Sequence, residues 1–149
     1  MVEQMFLGQH QHIIDEKGRM TIPVRYRELL EEGAYITQGF DQNLMVLTTI
    51  SFDRISKRVN QMSMTDPTAR SLKRLIFSHA EKVEFDRAGR ILIPLFLRQA
   101  GHLENAAEVV GVGDYFEVWS PDLWEKQDDQ FQDSEANTIR YAALDLSAE

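Results

Sequence analysis

The sequence contains one short pattern twice. Asp-Glu-Lys-Gly-Arg-Met-Thr-Ile-Pro occupies residues 15–23 and Asp-Arg-Ala-Gly-Arg-Ile-Leu-Ile-Pro occupies residues 86–94, so Asp, Gly, Arg, Ile and Pro keep their places. An aspartate and an arginine four residues apart across a glycine turn can form a charge-assisted hydrogen bond that fixes the loop. The arginine can instead offer its fork of donors to phosphate oxygens or to the edge of guanine. The duplication alone leaves the structural and the nucleic-acid-binding roles open.

Strands and short helices are predicted around both motifs in the same order. Gly18 and Gly89 suit the turn between two strands because glycine readily adopts a positive φ. Pro23 and Pro94 end the returning strand because proline has no N–H to donate to a ladder. The predicted strands are 10–14, 20–22, 35–37, 44–48, 82–85, 91–93, 109–112 and 115–119. The predicted helices are 24–31, one capped by Ser51, 68–77, 95–100 and one opened by Ser120 and Pro121.

This order of elements indicates a duplicated α+β protein, mostly β with flanking α-helices and two pseudo-symmetric halves. We predict a first unit over residues 1–62, a linking helix within 63–79, a second unit over 80–131 and a polar C-terminal tail over 132–149. In the helix that follows Ser120, the residues expected to be buried are Leu123, Trp124 and Phe131.

The net charge of −8 is unevenly distributed along the chain. Residues 1–75 contain 10 Lys and Arg against 9 Asp and Glu, whereas residues 76–149 contain 6 against 15. The first motif is locally basic, with Lys17, Arg19, Arg25 and Arg27 nearby. Because a total averages over such patches, the acidic balance does not exclude a nucleic-acid partner.

Composition excludes several classes of site. The 149 residues include no cysteine, which removes disulfides, thiolate nucleophiles and cysteine-ligated zinc. No apolar run approaches membrane-spanning length, and the first residues lack the basic start of a secretory signal. No glycine-rich phosphate loop or nucleophile–base pair is evident. We therefore expect a cytoplasmic protein that is not an enzyme and has no cofactor, metal or membrane partner.

The paired motif resembles that of the MraZ family, bacterial proteins made of two AbrB-like, swapped-hairpin units. The similarity extends from about the N-terminus to Trp124 and leaves only the tail without family features. Besides the two motifs, it rests on Arg25-Tyr26-Arg27, Phe77-Ser78-His79-Ala80, Leu97-Arg98-Gln99, Phe116-Glu117-Val118-Trp119 and Trp124. The resemblance implies a duplicated AbrB-like barrel. It also implies a nucleoid-associated transcriptional regulator that binds double-stranded DNA at short direct repeats in promoters of the division and cell-wall gene cluster, often its own operon. A ring-like homo-oligomer is the implied assembly.

The resemblance also implies a role for each motif residue. Asp15, Gly18 and Arg19 match the first motif, and Asp86, Gly89 and Arg90 the second. Arg19 is the expected DNA contact, and its flanking phosphate partners would be Lys17, Arg25 and Arg27. The second loop has Arg87 where the first has Glu16, and it belongs to the acidic half of the sequence. We therefore give the first loop more weight for DNA, with Arg87 and Arg90 as further expected DNA contacts, and for Arg90 a barrel support or a subunit contact is the alternative.

Other functions compete with this interpretation. An AbrB-type antitoxin or a DNA-binding scaffold would use the same hairpin fold, but an antitoxin is expected to carry one motif per chain and a long disordered toxin-binding tail. His10 and His12 alternate on one strand as metal ligands can, yet no ligand set is complete, so we interpret them as surface or packing residues. The aromatic residues near 115–124 are typical of a core rather than a ligand cage. The basic cluster of Arg70, Lys73 and Arg74 indicates a solvated face or a subunit contact.

Overall fold

The computed structural model describes residues 4–146, so residues 1–3 of the predicted first unit and 147–149 of the predicted tail lie outside it. The first half contains β1 (Gln9–Ile13), β2 (Arg19–Thr21), α1 (Val24–Leu29), β3 (Ala34–Gln38), β4 (Leu44–Thr48) and α2 (Thr49–Asn60). Helix α3 (Pro67–Ser78) follows. The second half contains β5 (Glu81–Lys82), β6 (Arg90–Leu92), α4 (Leu95–Ala100), β7 (Ala106–Gly111), β8 (Tyr115–Trp119) and α5 (Pro121–Asp129). A 3₁₀ turn (Gln130–Gln132) then leads to α6 (Ser134–Tyr141).

The strands of the two halves are interleaved. One antiparallel sheet has the order β1-β7-β8-β4-β3-β5, so strands of the second half lie between β1 and β4 of the first half. Strands β2 and β6 form a separate two-stranded ribbon. The predicted α+β class with a duplicated, swapped-hairpin arrangement is confirmed.

Two predicted strand pairings are wrong in detail. Residues 20–22 were expected to return along 10–14, but β2 pairs with β6, and among the described residues of these two segments a single bridge, Ile14 with Met20, joins them. The predicted strand 82–85 is interrupted: Glu81–Lys82 pairs with β3, whereas Phe85 bridges Ile91. Pairing β2 with β6 sets the fully buried Met20 opposite Ile91, so one ribbon contributes side chains from both halves to the core.

The core lies between the ribbon and one face of the sheet. Its buried apolar side chains belong to a single cluster drawn from both halves, including Ile22, Ile36, Val46, Ile93, Leu97, Val109 and Val118. At one end of this cluster the ring centroid of Tyr26 lies 5.1 Å from that of Phe6 and 5.0 Å from that of Phe116. The Tyr26 hydroxyl donates a hydrogen bond to the Leu7 carbonyl at 2.6 Å, so a buried phenol is satisfied.

The segment before β1 is strapped onto the hairpin between β7 and β8. The Phe6 N–H donates to the Gly113 carbonyl at 2.8 Å, and the Gly113 N–H donates to the Phe6 carbonyl at 2.9 Å. Gly111 makes the close approach possible, because a Cβ there would lie 2.5 Å from the Phe6 carbonyl carbon. The two halves are therefore joined by backbone contact as well as by the sheet.

The helices on the outer face of the sheet begin at side-chain caps. Asp66 caps α3 and Ser120 caps α5, the latter with Pro121 in the first turn as predicted. The prediction that Ser51 caps α2 is wrong: the Thr48 hydroxyl accepts the Ser51 N–H at 3.1 Å, so the helix begins earlier. Phe131 was expected to be buried, but it lies in the 3₁₀ turn beyond α5 and is 41% exposed. None of the helices within residues 4–146 is long and apolar enough to cross a membrane.

Candidate nucleic-acid interface

The ribbon of β2 and β6 has one buried and one outward face. Side chains alternate along a strand, and Met20 and Ile91 are the inward residues, with at most 1% exposure. The outward positions are Arg19, Thr21, Arg90 and Leu92, paired in register as Arg19 with Leu92 and Thr21 with Arg90. Two arginines, one from each motif, therefore lie on the same solvent-facing surface of a two-stranded ribbon.

In the first loop, Asp15 holds the turn and its arginine together. One carboxylate oxygen of Asp15 accepts the N–H groups of Lys17 at 3.0 Å and Arg19 at 2.9 Å. The other accepts Nε–H of Arg19 at 2.8 Å. Gly18, at φ +85°, donates its N–H to the Asp15 carbonyl at 2.9 Å. The expected pairing of aspartate and arginine is therefore present, and it orients the guanidinium.

The second loop repeats this geometry. The Asp86 carboxylate accepts the N–H groups of Ala88 and Arg90 at 2.9 Å each and Nε–H of Arg90 at 2.8 Å. Gly89 has φ +75° and donates its N–H to the Asp86 carbonyl at 3.1 Å. The duplication in sequence is thus a duplication of loop structure.

The hydrogen bonds to these carboxylates change their acidity. The backbone N–H of Arg19 and then its side chain hold the pKa of Asp15 below its usual value of 3.8, despite opposing desolvation. The backbone N–H of Arg90 leads the same effect on the pKa of Asp86. Both carboxylates consequently remain ionised, and both loops remain fixed, throughout the neutral range.

We expect the loops to lose their support only in acid. Because the folded-state pKa values are lowered, these groups stabilise the folded protein above pH 3.8, and the contribution disappears as the pH falls through the lowered values. Urea unfolding at a series of pH values from neutral into acid should show this decline. A protein carrying both Asp15→Asn and Asp86→Asn should show a smaller decline. If the free energy of unfolding falls equally in the wild type and in this variant, Asp15 and Asp86 do not cause the acid-induced loss of stability.

The two loops meet at Asp15. Nη1 of Arg90 lies 3.6 Å from the same Asp15 oxygen that receives Arg19, so one carboxylate interacts with arginines of both motifs. This proximity corrects the reasoning that separated the loops by the charge of their halves. Because the strands interleave, Arg90 and Arg19 both lie near Asp15, so the charge counted along each half of the sequence does not separate the two arginines.

Each loop is also braced by the opposite half. The Ile22 N–H donates to the Gly89 carbonyl at 3.1 Å, and the Ile93 N–H donates to the Gly18 carbonyl at 2.8 Å. Arg27 of α1 covers Gly89, where a Cβ would lie 2.5 Å from its Cζ. Arg98 of α4 covers Gly18 in the same way, with Nε 2.7 Å from the position of a Cβ. The loops therefore hold their arginines on a rigid support.

The prolines of the motifs start the helices that carry these braces. Pro23 and Pro94 occupy the N-cap positions of α1 and α4 at φ −51° and −56°. Their carbonyls accept the N–H groups of Arg27 and Arg98, each at 3.0 Å. In each motif, the end of the strand, the start of the helix and the arginine that covers the opposite glycine thus lie within a few residues of one another.

Arg27 and Arg98 are the residues whose placement differs most from expectation. Arg27 was expected to contact phosphate, yet it is half-buried against the second loop, and its Nε has no hydrogen-bond partner among residues 4–146. Arg98 was not among the predicted site residues, although its Nε–H donates to the Ile93 carbonyl at 2.9 Å and its side chain packs over Gly18. Its position 71 residues after Arg27, the same offset as the motifs, was the available signal.

The contact between Arg27 and Gly89 can be tested by a double-mutant cycle. Gly89→Ala is expected to cost about 1–2 kcal/mol from the left-handed backbone, plus the displacement of Arg27. In an Arg27→Ala background only the backbone cost should remain, so the two changes should interact by at least roughly 0.5 kcal/mol in urea unfolding. The same cycle with Gly113→Ala is the control, since Gly113 has φ +95° and open space around it. If the changes in free energy of unfolding are additive in both cycles, Arg27 does not support the second loop through Gly89.

The remaining predicted cations surround the ribbon. Lys17 and Arg87 are exposed at the tips of the two loops, and Arg25 is exposed on the first turn of α1. Within the loops, residues 15–19 and 86–90, there are four cations against three carboxylates. Asp15 pairs with Arg19 and Asp86 pairs with Arg90, which leaves Lys17 and Arg87 against Glu16 as the other charges of the loops, a small positive excess.

The rival sites have ordinary structural explanations. No group of three His, Asp or Glu residues within 4–146 is arranged to hold a metal ion. The ring of His10 lies edge-on to Tyr26 at 5.4 Å. Phe116, Trp119 and Trp124 are buried, and the two indoles pack edge to face with centroids 5.4 Å apart.

Comparison with known proteins identifies relatives over most of the chain. A family model described as "MraZ protein, putative antitoxin-like" matches twice, at residues 5–75 and 76–146. A protein of Herpetosiphon aurantiacus named "Transcriptional regulator MraZ" is 41% identical over 129 residues, which are 87% of this chain and 90% of that protein. A protein of the same name from Thermomicrobium roseum is 45% identical over 83% of this chain and 87% of its own length. A third protein of that name, from Dictyoglomus thermophilum, is 38% identical over 82% of this chain and 84% of its own length.

Proposed function

The chain belongs to the MraZ family, and we propose from this membership and its ribbon that it is a sequence-specific DNA-binding transcriptional regulator. The relatives are named as transcriptional regulators and not as enzymes. The observation that carries the proposal is the pair Arg19 and Arg90, held side by side on the outward face of a two-stranded ribbon. A two-stranded β-ribbon fits the major groove, where an arginine can donate two hydrogen bonds to guanine.

The residues around the ribbon divide into readers, phosphate contacts and supports. Arg19 and Arg90 are the proposed base contacts, because both occupy outward positions of the ribbon and their Nε–H groups are bound to Asp15 and Asp86, which fixes each guanidinium on its loop. The proposed phosphate contacts are Lys17, Arg25 and Arg87, which are exposed. Arg27 and Arg98 are proposed to position the loops instead of contacting phosphate, since each packs against the opposite glycine.

The proposed target is a set of short direct repeats upstream of the protein's own operon, within the division and cell-wall gene cluster. One ribbon makes few contacts, so a ring-like homo-oligomer that presents several ribbons to successive repeats would raise the effective concentration at such a site. Binding to the chromosome places this activity in the cytoplasm, at the nucleoid. The net charge of −8 would weaken indiscriminate binding while the ribbon remains cationic.

A gel-shift experiment tests this function directly. The probes are the DNA upstream of the protein's own operon and a shuffled DNA of the same length and base composition, each at several salt concentrations. We expect the upstream DNA to bind at least roughly a thousandfold more tightly, the lower range for specific regulators. Equal binding to both probes at every salt concentration would overturn the proposal of a sequence-specific regulator.

A further inference from the structure

An apolar groove lies on the outer face of the sheet, under α2 and α3. Its volume is about 320 Å³, and its floor is formed by the outward side chains of the central strands, such as Met45 and Leu47. Ile55 and Val59 of α2 line one wall. Phe40 and Met62 line the groove while remaining 63% and 41% exposed. Apolar side chains that line a depression and still face water are typical of a binding surface.

The helical side of this groove is basic, whereas Asp41 and Glu117 lie near Tyr115 on its strand side. The segment from residue 49 to residue 78, which contains α2 and α3, has six Lys and Arg against two Asp and Glu. Arg58 lines the groove itself. One of the two acids, Asp53, is paired with Lys57 at 3.0 Å, and the other, Asp66, accepts the Thr68 N–H as the cap of α3. An occupant of the groove should therefore combine an apolar surface with negative charge.

The C-terminal segment, residues 133–146, has this combination. It contains three carboxylates, Asp133, Glu135 and Asp145, against one arginine, and Asp133 accepts the Ala136 N–H as the cap of α6. Helix α6 buries none of its residues, and Ile139 is 78% exposed. Beyond the helix, Leu144 is 68% exposed. A short helix gains most of its stability by packing an apolar face against other structure. Within residues 4–146, α6 is held to the preceding turn by a hydrogen bond from Asn137 to the Phe131 carbonyl, but its apolar residue Ile139 is not packed against the rest of the chain.

We propose that the C-terminal segment of one copy docks in the groove between α2 and α3 of a second copy. The apolar side chains of α6 would cover Phe40 and Met62, and the carboxylates would face the basic rim. This inference rests on the proposed self-assembly and names its contact. The C-terminal segment and the groove are different surfaces of the chain, so the contact is heterologous. Repetition of such a contact must either close into a ring or continue as a filament.

Two full-length variants with exposed substitutions test the contact without DNA. The groove variant carries Phe40→Asp and Met62→Asp, and the segment variant carries Ile139→Asp and Leu144→Asp. Each variant alone should be monomeric by native mass spectrometry. An equimolar mixture should form a one-to-one heterodimer, because one partner retains an intact groove and the other an intact segment. Met64→Asp is the matched control: Met64 is 76% exposed and does not line the groove, so this variant should assemble like the wild type.

The outcomes separate the contact from the assembly. A monomeric wild type would overturn the proposed self-assembly and this inference together. A wild-type oligomer that both variants still form would overturn the inference alone. Two monomeric variants that do not combine on mixing would likewise overturn it, because the contact would then not join a groove to a segment.

Discussion

Replacing Arg19 by alanine is expected to weaken specific DNA binding by roughly 5- to 150-fold per ribbon, the value of one bidentate arginine–guanine contact of about 1–3 kcal/mol. Arg90→Ala should cause a comparable loss, because both arginines lie on one face of the ribbon and both approach Asp15. Similar losses of affinity in Arg19→Ala and Arg90→Ala would show that the ribbon surface formed by both loops binds DNA. A large loss in Arg19→Ala alone would show that the first loop acts by itself. Gel shifts with the upstream and shuffled probes measure these losses.

Two further variants separate base recognition from charge. Arg19→Lys keeps the cation but loses the planar fork, so binding to the upstream DNA should fall while binding to shuffled DNA changes little. Lys126→Ala removes an exposed cation on α5, away from the ribbon, and should leave both affinities unchanged. If folded Arg19→Ala protein still binds the upstream DNA as well as the wild type, Arg19 is not the reading residue.

Gly111→Ala is expected to destabilise the protein by about 3–5 kcal/mol, comparable to deletion of a buried phenylalanine side chain. The cause is steric and not conformational, because the φ of Gly111 is not left-handed. An added Cβ would meet the backbone of Phe6 and Leu7, and backbone atoms cannot turn aside as a side-chain end can. The strap would detach and withdraw Phe6, now 1% exposed, from its contacts with Tyr26 and Phe116. Urea unfolding measures the loss.

Gly113→Ala is the matched control in the same hairpin. Gly113 has φ +95° but open space at the Cβ position, so alanine there should cost only about 1–2 kcal/mol of backbone strain. In a Gly111→Ala background, Phe6→Ala should add little, since the side chain has already left the core. A full additional cost of Phe6→Ala would mean that the strap stays in place and that the steric explanation is wrong.

Local chemistry was predictable from the sequence to a large extent. The turns at Gly18 and Gly89, the pairing of Asp15 with Arg19 and the helix start at Ser120 depend on neighbouring residues only. The family resemblance added the swapped-hairpin class. The partner of β2 was not predictable, because the alternation around Met20 tells which face is buried and not which strand lies beside it. Thr48 and Ser51 are both good capping residues, so residue type gave no sound reason to predict Ser51 as the cap in place of Thr48.

The site formed jointly by the two loops was the least predictable feature. Arg27 and Arg98 occupy equivalent positions, but nothing in their spacing tells that each covers the glycine of the opposite motif. The charge of each half, counted along the chain, was a poor guide because interleaved strands bring Arg90 to Asp15. Contacts between residues distant in sequence decided both points.

The interleaved sheet has a consequence for the newly made chain. Strand β1 is synthesised long before β7, which is its only ladder partner within residues 4–146. In the same way, β2 is synthesised long before its partner β6. The first half therefore leaves the exit tunnel with unpaired strand edges and an uncovered apolar surface, a condition that favours aggregation during synthesis. A chain interrupted before residue 90 would contain Arg19 but no completed ribbon. Premature termination should thus yield fragments for proteolysis and not partial regulators that occupy the promoter.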